Sequence, residues 1–419
     1  MIKKNIKFNV ETILYLLLFL FPLFAIGVRH WSSVTFSLLI ILGLVYYFSN
    51  YKKNPVELHK YEKIYLWFLV AYFVVFILSM MLNYPASFGD TEFGNEVRFI
   101  LVIPLYFLLT KTKHGLRWLA YGAAVSIVIS FGFCIYDLYI IERPLFHGEY
   151  SQLFTGPVIL IYLTLVMSYF VPRLTKHDKI KWGLLAVLVI IATFSIVSTQ
   201  VRSAYVGYLL VSLFFVVLFT KGWLRVVILS VLVITLIIIS IYSESVNSRM
   251  SKAINEVVEY IETSRLDPAN KAAASSAGAR LEMWRASTLF IKDYSLLGVG
   301  NGNYQSIMMG YADQGLVHVY ISKHGHPHNV FVNGLMTKGL LGLLCTCLVF
   351  FFPLAIYIKT FRFNEFIAKV GILYVTVMFL ISMSEAAPFN KSNFVATYLI
   401  LSLVIFQSHM QAIKKNLAT

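Results

Sequence analysis

An all-α, polytopic integral membrane protein is what this sequence predicts, and three observations carry the prediction. Of the 419 residues, 58% are hydrophobic and only 13% charged, against roughly a quarter charged in an ordinary globular domain. The mean hydropathy is +0.74. Apolar runs long enough to cross a bilayer, which takes roughly 20 helical residues, recur along nearly the whole chain. An open sheet cannot satisfy its edges in lipid, so repeated helices are the economical way to place these runs.

Breaking the runs at charged or turn-rich stretches predicts about twelve transmembrane helices, near 11–28, 33–49, 64–82, 98–110, 117–140, 153–172, 182–199, 203–220, 224–242, 332–357, 366–384 and 393–409. The start, MIKKNIKFNVETILYLLLFLFPLFAIG, has the basic-then-apolar form of a signal peptide. No small-x-small cleavage site follows and a second run begins almost at once, so it is expected to remain as the first helix. The fourth run is short and holds Pro104, which makes its limits the least defined. Cys134, Cys345 and Cys347 all lie inside apolar runs, which indicates neither a disulfide framework nor a cysteine zinc site.

The net charge of +15 would suggest nucleic acid in a soluble protein, but here the basic residues punctuate the apolar runs and form no single patch, so no nucleic-acid partner is indicated. They report topology instead. Alternate connections and the N-terminus hold twenty cations: Lys3, Lys4, Lys7; Lys52, Lys53, Lys60, Lys63; Lys111, Lys113, Arg117; Arg173, Lys176, Lys179, Lys181; Lys221, Arg225; Lys359, Arg362; Lys414, Lys415. The short loops of the other side hold five: Arg29, Arg98, Arg143, Arg202 and Lys391. Under the positive-inside rule both termini are cytoplasmic.

That topology puts residues 243 to about 330 on the outer face as the one long hydrophilic insertion. The chain divides accordingly into a membrane domain with helices one to nine (1–242), the outer loop (243–328), and a membrane domain with helices ten to twelve (329–419). Within the loop, AINEVVEYI spaces Ile254, Val257, Val258 and Ile261 as a helical stripe, and ARLEMWRASTLFI does so with Leu281, Trp284, Thr288 and Ile291. Two amphipathic helices are expected over the bundle mouth. DPANKAAASSAG between them reads as a small, polar linker.

Several polar groups on the outer side ask for a reason. Arg202, in STQVRSAYVG, sits in the tight link between the seventh and eighth helices, where it is either a snorkelling anchor or part of a site. Arg280, in GARLEMW, opens an amphipathic helix where Asp or Glu would suit the dipole; that misfit hints at an anionic ligand, with a solvated Arg as the plain alternative. Glu385, in SMSEAAPFNKS, ends the eleventh helix and could orient a histidine, pair with an Arg or face water. Asp137 and Lys338 read as unpaired interfacial residues. The glycines of LLGVGNGNYQS follow a helix and lack phosphate-loop spacing, so they read as turn formers.

KHGHPHNVFVNGLMTKGLLG packs His324, His326 and His328 into five residues. A zinc site would want ligands at a recognisable spacing, and none is present, so no metal is assigned. A solvated polar loop is the ordinary alternative. The third reading starts from Pro327, which favours an extended approach to a helix beginning around His328 or Asn329. His328 would then be a neutral base at a helix end that also favours phosphate.

The stretch His328-Asn329, nine residues, then Gly339-x-x-Gly342 resembles the signature of the bacterial O-antigen ligases and their superfamily, H-[N/S/Q]-x9-G-x-x-[G/T/Y], and His326-Pro327-His328-Asn329 agrees with the H-x-H-N often found there. The resemblance extends to twelve predicted spans, a single large outer loop between the ninth and tenth, an Arg in the seventh-to-eighth link and a GAR before the loop's second helix. It implies a GT-C-like, metal-independent glycosyltransferase of the bacterial inner membrane with its active site facing the periplasm. Such an enzyme moves O-antigen polysaccharide from undecaprenyl diphosphate to a sugar hydroxyl of the lipid A-core oligosaccharide, without a cofactor. By motif the resemblance makes His328 the catalytic residue and Arg202 and Arg280 the diphosphate ligands. His326, Asn329 and Glu385 are implied as supporting groups, Glu385 standing where the family has an Asp, and Gly339 and Gly342 as helix-packing residues.

Two rivals share parts of this pattern. An O-antigen polymerase uses the same donor, but family polymerases tend to show two sizeable periplasmic loops, and protein-glycosylating relatives are generally longer. A twelve-span transporter is the rival of another class; such carriers are often built from repeats with ionisable groups near the midplane, and neither pattern is seen here. The sequence carries no signal of oligomeric state.

Overall fold

The computed structural model describes residues 10–53, 55–83, 90–149, 151–222, 225–226, 230, 244–262 and 273–417. Among them every regular element is helical. In chain order these are α1 (Val10–Leu23), α2 (Trp31–Tyr46), α3 (Lys60–Leu82), α4 (Asp90–Glu96), α5 (Arg98–Leu101), α6 (Ile103–Leu109), α7 (Gly115–Ile135), α8 (Gln152–Phe170), α9 (Lys179–Ser198) and α10 (Arg202–Phe219). After the long insertion begins come α11 (Glu244–Glu262), α12 (Ser276–Asp293), α13 (Tyr304–Asp313), α14 (Val330–Lys359), α15 (Glu365–Ser384), α16 (Ala387–Asn390) and α17 (Ser392–Leu417).

Nine of the described helices are long and apolar enough to cross a membrane: α2, α3, α7, α8, α9, α10, α14, α15 and α17. The chain is a multi-pass membrane protein. The first predicted span forms the shorter α1, of 14 residues. The fourth departs from expectation, because 98–110 is divided between α5 and α6, with α4 leading into them. Pro104 stands in the first turn of α6, and its ring and missing N–H interrupt the ladder there. The predicted ninth span, 224–242, lies almost wholly outside the described residues, as do Lys3, Lys4, Lys7 and residues 267–272 of the linker.

Helices α8 and α17 are buried on nearly all sides and form the centre, whereas α9 and α10 turn most of their surface outward. This fits their uniformly apolar sequences, since a bundle in lipid needs no polar outer face. Helix α14 packs along α3, and α1 along α7.

Residues 276–323 form a cap with its own small core, in which Ala279, Met283, Ala286 and Phe290 of α12 meet Val299, Tyr304, Met308, Tyr311 and Ile321, together with Met336 of α14. The buried stripe of α12 is thus 279–283–286–290, rotated from the expected Leu281–Trp284–Thr288–Ile291 face, of which Ile291 is exposed. The expected apolar stripe of α11 also turns the other way. Ile254, Val258 and Ile261 are exposed, and Glu256 and Tyr260 are the buried residues. The two differences have separate origins: α12 does bury an apolar stripe, one register round from the expected one, against the core of the cap, whereas the covered face of α11 carries Glu256 and Tyr260.

Helix α14 is two helices joined at Gly339, whose φ of 67° and ψ of −162° are not helical. The chain 295–300 is spliced into this break. Leu340 and Leu341 N–H groups donate to the carbonyls of Ser295 and Leu296, and Val299 and Gly300 N–H groups donate to Met336 and Thr337. A Cβ at Gly339 would lie 2.3 Å from the Leu296 carbonyl carbon, and one at Gly298 (φ 65°) 2.5 Å from that of Thr337. Gly339 is therefore a break that admits a second backbone, which corrects its reading as a helix-packing residue; Gly342 does pack, against Lys338 and the Gly334 carbonyl.

Candidate active site

His328 sits immediately before the 330–338 half-helix, with φ of 51°. A left-handed conformation is uncommon for a residue with a Cβ and is held only where the surroundings over-determine it. Asn329 supplies much of that restraint. Its Oδ1 accepts from Phe331 N–H at 2.9 Å and Val332 N–H at 3.1 Å as the N-cap, while its Nδ2 donates to the Met383 carbonyl at 3.4 Å. The helix thus starts at Val330, after His328 and Asn329. The Asn329 side chain takes up the Phe331 and Val332 amides of this helix end.

Glu385, the C-cap of α15, comes to the same place from the far side of the bundle. Its Oε2 lies 3.2 Å from His328 Nδ1 and its Oε1 3.9 Å from His326 Nε2. Burial pushes the Glu385 carboxyl up, but the hydrogen bond with His328, with His326 and Arg280 behind it, brings it below its ordinary value. His326 is pulled down to about 4, chiefly by burial, with Glu385 opposing. The ring of His328 also meets His326 edge-on at 4.5 Å and His324 at 5.5 Å between centroids.

Tautomers follow from these partners. His326 Nδ1 accepts the His328 backbone N–H at 3.3 Å, which leaves the proton of the neutral ring on Nε2. His328 Nδ1 faces a carboxylate, so its proton belongs there and Nε2 carries the free lone pair. The nitrogens and carboxylate of His326, His328 and Glu385 lie within 4.8 Å of one another, near enough to raise metal binding. Their fit is poor. Tetrahedral ligands at 2.0–2.2 Å from zinc stand roughly 3.4 Å apart, and His326 Nε2 lies 3.9 Å from Glu385 Oε1 with only three such groups present among the described residues.

The two arginines approach from the side of the cap. Arg280 lies one turn into α12 and donates through Nη1 to the Ser276 carbonyl and Oγ, each at 3.0 Å. Its Nε is buried with no hydrogen-bond partner among the described residues. Burial lowers the Arg280 pKa, Glu385 and Glu256 oppose this, and Arg202 adds to it, which places all four charges in one electrostatic neighbourhood. One turn along the same helix, Trp284 Nε1 donates to the Pro327 carbonyl at 3.0 Å and so ties α12 to the histidine loop. Arg202 opens α10 after a turn in which Gln200 has φ of 53°, and its Nη1 is 3.7 Å from Glu256 Oε2. Glu256 also accepts the Ala277 N–H at 3.2 Å.

Residues far apart in the chain, 202, 280, 326, 328 and 385, thus share one mouth. A segment matching the family described as O-antigen ligase spans residues 185–347 and contains Arg202, Arg280 and His328. The likeness of this segment is to the O-antigen ligase superfamily. An uncharacterized protein of Haemophilus influenzae is also similar, at 21% identity over 369 residues that cover 85% of this chain and 88% of the relative. Glu385 lies outside the segment that matches the superfamily, so its place beside His328 is evidence of a separate kind.

Sequence reasoning missed Glu256, whose only signal was its place on the polar face of α11, and Trp284, read there as part of an apolar stripe. Asp137 and Lys338 were expected to be unpaired. Asp137 instead pairs with Arg143 at 3.1 Å and accepts from the His147 and Gly148 amides. Lys338 pairs with Glu96 at 2.6 Å.

Proposed function

We propose that this protein is a glycosyltransferase of the periplasmic face of the inner membrane. It would join O-antigen polysaccharide from undecaprenyl diphosphate to a sugar hydroxyl of the lipid A-core oligosaccharide. The observation that carries the reading is the His328–Glu385 pair, with His328 Nε2 left as an acceptor, beside two arginines at the mouth of a membrane bundle.

The acceptor hydroxyl gives its proton to His328 Nε2 as its oxygen forms the bond to C1 of the donor sugar. The bond from C1 to the diphosphate oxygen breaks, and undecaprenyl diphosphate leaves with the electron pair. One displacement inverts the anomeric centre. Glu385 holds Nδ1–H and stabilises the imidazolium that forms, as a carboxylate does for a catalytic histidine generally. Arg202 and Arg280 bind the diphosphate and neutralise the charge that grows on it, with Arg280 Nε available as a donor. The reading of ligase over polymerase rests on the single long insertion seen in the sequence; the polymerase would use the same groups on a different acceptor.

The test is transfer by purified protein in liposomes holding lipid-linked glycan and core lipid, with chelator and without nucleotide. His328→Ala is expected to lower turnover by ~10²–10⁴, the usual worth of a placed base, with the protein still folded. Near-normal transfer by that variant would remove the base role. Product formed only on a second lipid-linked chain would favour the polymerase.

A further inference from the structure

We propose that Glu96 and Lys338 are positioning residues that set the depth and rotation of the half-helix bearing His328; the inference rests on the role of His328 given above. Lys338 is the last residue before the Gly339 break, at the opposite end of the 330–338 segment from His328. Its Nζ lies 2.6 Å from Glu96 Oε1, and the two side chains are 2% and 1% exposed. Tyr72 OH at 3.4 Å and Asn301 Nδ2 at 3.3 Å donate to the same oxygen. One carboxylate therefore joins α3, α4, the half-helix and the chain that follows α12.

Three features distinguish this from ordinary packing. The break at Gly339 means that 330–338 is not fixed by continuity with 340–359, so its placement depends on side contacts. Apolar contacts would let so short a helix slide or roll, whereas directional bonds to one oxygen would not. A buried ion pair is seldom more stabilising than apolar residues of the same volume, so its presence points to arrangement above stability. Asn301 follows α12, which carries Arg280, and Lys338 ends the half-helix that starts two residues after His328. Glu96 is thus the shared reference for the base and for one arm of the diphosphate clamp. Ser79 Oγ, donating to the Thr337 carbonyl at 2.8 Å, adds a second restraint beside it.

The experiment compares the full-length protein with Glu96→Gln and with the double variant Glu96→Met/Lys338→Met in the liposome assay, alongside hydrogen exchange of residues 330–338. Single loss of Lys338 would strand a buried carboxylate and endanger folding, which the double variant avoids. Glu96→Gln keeps an acceptor oxygen for Lys338, Asn301 and Tyr72 but leaves the Lys338 charge uncompensated, so it serves as the second arm once its thermal unfolding shows that it is folded. For the double variant, kcat is expected to fall ~10–100-fold, the cost of an ångström-scale misplacement, with both KM values within about twofold of wild type. Exchange in 330–338 should quicken. Glu96→Gln should show the same pattern, smaller in size. Wild-type kcat and exchange in both variants would overturn the proposal, and so would losses confined to KM. Should the unaltered protein transfer no glycan, the proposed function falls, and exchange in 330–338 alone then decides whether the pair holds this segment.

Discussion

Two glutamates hold the two ends of the same half-helix, and they hold them differently. Glu96 meets Lys338 at 2.6 Å in full burial. Glu385 meets His328 at 3.2 Å and His326 at 3.9 Å, where both rings are partly open to the mouth. The inner contact is a short ion pair closed off from the mouth. The outer contact leaves His328 Nε2 unbound, while burial, against the pull of Glu385, keeps His326 neutral. A tight, buried pair suits holding, and a looser one between a carboxylate and an accessible imidazole suits proton movement.

The sharpest way to break this contrast is Glu385→Gln. The amide keeps size and one oxygen but removes the charge that stabilises an imidazolium, and it can present N–H to His328 Nδ1, which would move the ring proton to Nε2. Turnover is expected to fall ~10²-fold or more with donor KM little changed, by analogy with the orienting carboxylate of other catalytic histidines. Unchanged turnover would show that Glu385 does not act through His328.

Next in size is a pH effect. His326 has a folded value of about 4, below the 6.5 of a free histidine. Between these values the unfolded chain binds a proton that the folded chain refuses, so stability is fully present above about 6.5 and is lost as pH falls toward about 4. The loss should be on the order of 2 kcal/mol after discounting this partly exposed ring for solvent screening. Thermal unfolding against pH should therefore slope downward on acidification in wild type, and His326→Gln should flatten it. An equal slope in both would place the titration elsewhere.

Arg202→Lys probes the other arm of the site. Lysine keeps the charge but not the planar fork, so donor KM should rise ~10-fold with kcat less affected if the contact is bidentate. An unchanged donor KM would reduce Arg202 to a charge near the membrane surface.

The sequence made the helical bundle and the group identities legible because hydrophobic run length and basic asymmetry are direct consequences of the bilayer. His328, Arg202 and Arg280 stand in turns whose composition marks them, and Glu385 could be placed only as an isolated acid at a helix end. The pairing of Glu96 with Lys338 was not legible: 242 residues separate them, and each alone reads as an interfacial charge. The break at Gly339 was hidden for another reason, since glycine in a membrane helix is common and only the inserted 295–300 chain makes this one special. The face of α11 was misread because the rule that apolar stripes point inward assumes an apolar interior, and what it covers is polar; that of α12 was misread because two overlapping apolar stripes share the helix and only the cap core selects 279–283–286–290.

That polar mouth yields the smallest and most discriminating prediction. Glu256 is buried, 3.7 Å from Arg202 Nη1, and within the field of Arg280, and it accepts the Ala277 amide at the first turn of α12. A carboxylate among two arginines and a helix-end amide occupies surroundings suited to a phosphate, so a donor diphosphate must share or displace it. Glu256→Gln removes the competing charge while keeping the amide contact. A partly exposed pair of this kind is worth about 0.5–1 kcal/mol, so donor KM should fall ~2–5-fold with kcat unchanged. Were Glu256 instead needed to orient Arg202 for the diphosphate, KM would rise, and the arginines would then resemble the Glu96–Lys338 pair, prearranged by a fixed counter-charge, more than the open His328–Glu385 contact.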